Sequence, residues 1–252
     1  MVGALLMRGM LVGLLAGLLA FAFAKAFGEP EVDKAIAFET RMDQAKGEAP
    51  EPELVSRKVQ SSLGLLTGVV VYGTALGGLY SLVFAYAAGR VGRIGPRGLA
   101  ALLALAGFIA VVLVPSWKYP ANPPSVGNPE TIGYRTELYF LMLAFSIAAM
   151  VLAVNLGMRL RRAYGAWNAA LLGAAVFLLA VALAQLLLPD IDEVPAQFPA
   201  VVLWRFRMAS FGIHAVLWTT LGLVFGWLAE RGLQRRFRFA KPMPASGRSI
   251  NR

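Results

Sequence analysis

A single imidazole and a tight group of carboxylates are the side chains of this sequence best suited to hold a ligand. His214 is the only histidine, and Asp190, Asp192 and Glu193 stand together between Pro189 and Pro195. Imidazole nitrogen and carboxylate oxygen are the donors left to a borderline divalent metal ion where thiolates are lacking, and the chain has no cysteine. This set is too small for a dedicated metal cage, so further ligands would come from a second protomer or another chain. Two plainer readings stay open. The acids form a solvated turn that concentrates cations by charge, and His214 is a neutral side chain bonded to Asn155, Asn168 or Gln185 on a neighbouring helix.

Catalysis is not expected. There is no Gly-rich phosphate loop with a lysine and no His-Glu-x-x-His, and one histidine cannot serve both a triad and a metal site. No cofactor is implied.

The elements that must position these groups are apolar. Hydrophobic residues make up 58% of the chain and charged residues 15%, against roughly 45 to 50% and 25% in soluble domains, which excludes a water-soluble core. Six stretches nearly free of charge, about 5–25, 60–88, 98–117, 137–158, 163–188 and 207–229, approach or exceed the roughly 20 residues a helix needs to cross a bilayer. The fold expected is all-α: a polytopic membrane protein of six transmembrane helices arranged as three helical hairpins, in one membrane domain.

The net charge of +10 sits beside the ends of these stretches. That placement does not suit nucleic acid, which is read by basic groups on one groove-facing element. Arg90, Arg93 and Arg97 fill the second break, Arg159, Arg161 and Arg162 the fourth, and the tail 231–252 is strongly basic. By the positive-inside rule these segments face the cytoplasm, with both termini inside and the acidic segment 26–58 outside. Ala49-Pro50-Glu51-Pro52 should interrupt helix within that segment. The first stretch is open to a second reading as a cleaved signal peptide ending Ala22-Phe23-Ala24. Gly9, Gly13 and Gly17, spaced by four, suit close helix contact instead. Similar strings around Pro115 and Pro189 suggest repetition, although hairpins of one orientation would share that chemistry anyway.

Two loops stand out at the outside. Lys118-Tyr119-Pro120-Ala121-Asn122-Pro123-Pro124 is stiff and extended, because three prolines fix φ and remove donors. The second runs from Pro189 through the acids to Pro199 and on to Leu203-Trp204-Arg205-Phe206-Arg207. Arg135, Glu137, Arg205 and Arg207 flank span starts where cations are less expected, so they should find partners. We expect Arg135 and Arg205 or Arg207 to pair with Glu137 and the 190–193 acids, tying the loops together. Trp117, Tyr119, Tyr134, Tyr139 and Trp204 form one interfacial belt, and Tyr164, Trp167 and Trp227 the other.

These loops, with Gly133-Tyr134-Arg135-Thr136 between them, resemble the CbtA family of cobalt transporter subunits over about 59–230. The resemblance implies a multi-pass protein of the bacterial inner membrane that takes up Co²⁺ as cargo, together with CbtB, a small histidine-bearing partner with one span. The competing expectation is a non-transporting subunit that packs within or assembles a larger membrane complex. The scarcity of ionisable groups inside the spans favours it.

Overall fold

The computed structural model describes residues 2–47, 55–92 and 94–239, with backbone only over 233–239. Among these residues the fold is helical throughout. Helix α1 (Val2–Phe23) runs through one π turn into α2 (Glu29–Lys46), so much of the acidic segment is helix. α3 is Arg57–Ala87 and α4 is Pro96–Lys118. Ile132–Leu187 holds two arms, α5 (132–164) and α6 (166–187), and α7 is Ala200–Gly232. Among the described residues five helices are long and apolar enough to cross a membrane, counting Pro129–Leu187 as one. Helix is what such sequences must form in lipid, where every backbone amide has to find its partner within the segment. The break expected at Ala49-Pro50-Glu51-Pro52, the acids Glu48, Glu51 and Glu53, Arg93, and the tail beyond Phe239 lie outside the described residues.

Gly165 divides the longest stretch. Its φ of 76° and ψ of 168° belong to a region that only glycine occupies without strain. Beyond it the chain returns antiparallel: a methyl built on Gly173 would stand 2.9 Å from the Ala153 carbonyl oxygen, and one on Gly157 would stand 3.3 Å from that of Ala169.

Small residues four apart decide the other pairings too. On α1 and α3, a methyl on Gly13 would meet the Gly73 carbonyl oxygen at 2.2 Å, and one on Gly77 would meet that of Gly9 at 2.2 Å. On α4 and α7, Gly222 and Gly226 seat against Ala104 and Ala100. In lipid no hydrophobic force pulls helices together, so close backbone approach at such residues supplies the dispersion contact. Tyr80 donates its hydroxyl to the Ala100 carbonyl, and its ring and that of Phe84 pack edge-on to Phe225 at 5.4 and 5.1 Å.

The expectation of three hairpins in chain order is corrected in part. α1 packs with α3, and the Val114 end of α4 packs with α5. However, α6 lies along α5 and not along α7, whose partners are α1, α2 and α4. The Gly157/Gly173 contact explains this, since α7 offers its own small residues to α4.

The two ends of the bundle differ. At one end the Arg8 guanidinium lies against Gly232 and that of Arg161 against Gly92. At the other lie α2, the loop 119–131 and the loop 188–199, joined by Lys118–Asp190 and by Ser125 Oγ donating to the Ala35 carbonyl at 3.1 Å. We call these the basic end and the loop end.

Candidate functional site

Helix geometry places the first two walls of a cavity. Arg207, Ser210 and His214 are spaced by three and four along α7 and so share one face, and Arg135, Thr136 and Tyr139 do the same on α5. Both faces line a cavity of about 960 Å³, roofed by the prolines 120, 123 and 124 with Tyr119 and Asn122 from one loop, and by Asp192 and Glu193 from the other. His214 is seven residues beyond Arg207, which puts it about 10 Å further into the bundle at 1.5 Å per residue.

The roof is held by polar contacts that run between the loops. Tyr119 donates to the Pro189 carbonyl at 2.9 Å. Lys118, its side chain 6% exposed, donates to the Gln185 carbonyl at 2.8 Å and to the Asp190 carboxylate. Glu193 accepts from the Asn128 backbone N–H at 2.7 Å and from the Thr131 hydroxyl at 2.8 Å. Those two donors, with a smaller contribution from Arg135, hold its carboxyl below the usual carboxylate range despite an opposing desolvation.

The arginines are fixed differently from one another. Arg135 Nε lies 3.4 Å from Glu193 Oε2 yet has no hydrogen-bond partner among the described residues, while Nη2 donates to the Asn128 carbonyl at 3.1 Å. Gly127, at φ 113°, makes room for this guanidinium, since any Cβ there would overlap it. Arg207 reaches the other loop, from Nε to the Ala121 carbonyl at 3.3 Å and from Nη2 to Asn122 Oδ1 at 2.9 Å. Asp192 attracts Arg207 across the cavity without closing an ion pair.

Of the residues singled out in the sequence, His214, Asp192, Glu193, Arg135, Arg207, Tyr119, Pro120, Asn122, Pro123 and Pro124 share this cavity. Asp190 turns its side chain to solvent, 91% exposed, against Lys118. Glu137 is exposed and off the cavity. Arg205 lines a separate groove with Glu31 and Trp204. Among the described residues no three His, Asp or Glu side chains come together as metal ligands, so His214 and the acids share a space without forming a coordination shell. His214 Nδ1 is buried with no hydrogen-bond partner among the described residues, and Asn155 donates to Val151 on its own helix. Tyr72 faces the imidazole edge-on at 6.4 Å.

Sequence reasoning missed Lys118, Ser210, Tyr72 and Tyr139 as members of this neighbourhood. Ser210 was open to discovery, because it falls on the helical face shared by Arg207 and His214. Tyr139 was assigned to an interfacial belt, whose members Trp117, Trp167 and Trp204 are 78, 75 and 65% exposed. Tyr119 is 8% exposed and Tyr139 lines the cavity, so these two turn inward.

A family model described as probable cobalt transporter subunit (CbtA) matches residues 2–230. No curated protein and no solved structure matches the chain.

Proposed function

This chain belongs to the CbtA family, described as probable cobalt transporter subunits, and from that membership we propose that it is the multi-pass membrane subunit of a Co²⁺ uptake system. The observation that carries the proposal is the cavity running from the two proline-bearing loops to His214 on α7. An ionisable group set that far into an apolar helix is costly to bury without a partner, so one that lines a cavity is a pointer to a pathway.

The reading has the chain crossing the bacterial inner membrane six times, with α5 and α6 as separate spans about Gly165. Both termini and the basic end would face the cytoplasm, by the positive-inside rule, and the loop end would face outward and receive the cation. With one imidazole and no ligand cluster, this chain needs donors from elsewhere, which a small single-span partner of the CbtB type would supply.

One observation favours the competing reading of a non-transporting assembly subunit. The carboxylates at the loop end already face cations: Asp190 faces Lys118, Glu193 faces Arg135, and Asp192 is attracted by Arg207. Uptake of ⁵⁷Co²⁺ into vesicles holding the pure protein, alone and with its partner, separates the two. Transport requires flux in at least one case and its loss in His214→Ala. Absence of flux in both cases, with the variant indistinguishable, leaves the assembly role.

A further inference from the structure

Resting on the transport reading, we infer that the cavity receives its metal as an anionic complex with a small carboxylate chelator, of the citrate class, and not as the bare aquo cation. Its volume of about 960 Å³ lies at the top of the range of small-molecule sites, roughly 300 to 1,000 Å³, and is far more than one ion fills. The charges at its walls point the same way. Lys118 and Arg135 are well shielded, their side chains 6 and 22% exposed, whereas the carboxylate opposing Lys118 is 91% exposed. The cations therefore belong to the cavity wall, and part of their counter-charge is spent on the solvent side.

The unused donors fit such a complex. Arg135 Nε is buried at the wall, near Glu193 but with no hydrogen-bond partner among the described residues, and His214 Nδ1 likewise has none deeper in. Arg207 adds a third cation to the lining, its Nε held by the Ala121 carbonyl and its Nη2 by Asn122. The remaining guanidinium N–H groups form charge-assisted hydrogen bonds to carboxylates, so the arginines would grip the chelator. A metal held by oxygen donors keeps positions that an imidazole can take, which gives His214 its partner. A bare divalent cation meets a poorer site: the cavity lining carries three cations, Lys118, Arg135 and Arg207, against the two carboxylates of Asp192 and Glu193, both carboxylates are already engaged by those arginines, and no three-ligand group awaits it among the described residues.

The test is calorimetric titration of the full chain in lipid nanodiscs with cobalt(II) citrate, with cobalt chloride and with citrate alone. The complex should bind at least about tenfold more tightly than the chloride, and Arg207→Gln should weaken it about tenfold, the effect of losing one charge-assisted hydrogen bond. Arg207→Lys, which keeps the charge and loses the fork, should fall between. His214→Ala should weaken the complex and leave citrate alone unaffected. Cobalt chloride binding as tightly as the complex, or being stripped from the protein by added citrate, would overturn the inference. Should the Arg207 variants not fold, the wild-type comparison decides alone. Binding of the complex without vesicle flux removes the transport reading and spares this one. Uptake of aquo Co²⁺ that citrate abolishes does the reverse.

Discussion

Arg207 and Asn122 stand eighty-five positions apart in the chain and 2.9 Å apart in space, joined by a guanidinium-to-amide hydrogen bond. That contact, with Arg207 Nε on the Ala121 carbonyl, makes the proline-rich loop 119–131 a roof fastened to α7. A double-mutant cycle of Arg207→Ala and Asn122→Ala, read as thermal stability in nanodiscs, should give a coupling of about 1 kcal/mol. Coupling indistinguishable from zero would detach the roof from the helix.

Glu193 makes the second fastening dependent on pH. Its folded-state pKa is depressed by the Asn128 N–H, the Thr131 hydroxyl and Arg135, so its contribution is fully present above the ordinary carboxylate pKa and is lost as pH falls through the folded value. Hydrogen-exchange protection of segment 119–131, taken relative to the intrinsic rate at each pH, should therefore be constant from neutral pH down to that range, then fall in acid. Glu193→Gln should exchange fast even at neutral pH. A variant as protected as the wild type would show that the carboxylate does not hold the loop.

Two glycines of similar sequence context should respond oppositely to alanine. A Cβ on Gly13 would meet the Gly73 carbonyl oxygen at 2.2 Å, whereas one on Gly68 meets nothing within 4 Å. Gly13→Ala should cost about 1 to 3 kcal/mol through forced separation of α1 and α3. Gly68→Ala should be neutral or stabilise by up to ~1 kcal/mol through helix propensity. Equal effects would contradict the close α1–α3 contact.

Gly165→Ala should destabilise by ~1–3 kcal/mol, because the φ of 76° with ψ of 168° is strained for any residue with a Cβ. A melting temperature unchanged from the wild type would mean that the chain does not reverse there.

The glycine pattern shows how far the sequence could be read. Gly9, Gly13 and Gly17 announced a close helix contact by their spacing, and α3 is the partner they met. Ala100 with Ala104, and Gly157, carried the same signal unnoticed, because alanine and isolated glycine are common in any apolar span. The site was legible in its members more than in its layout. The proline loops and His214 were conspicuous by residue type, while Lys118 facing Asp190 and Arg207 facing Asn122 join positions that no local pattern relates.

Composition and charge placement alone determined that this chain is built of long apolar helices with basic residues beside their ends, because a backbone in lipid can satisfy its amides only as helix or closed barrel, and unbroken apolar runs of about 20 residues lack the alternation of a barrel strand. The tertiary structure decided which helices touch, that α6 follows α5 and that α7 stands apart from both across a cavity. The physical reason is that a lipid-facing leucine and a helix-facing leucine are chemically alike. In a membrane, partner choice rests on complementarity of shape, on where small residues let backbones meet, and on a few long-range polar contacts that hydropathy does not encode.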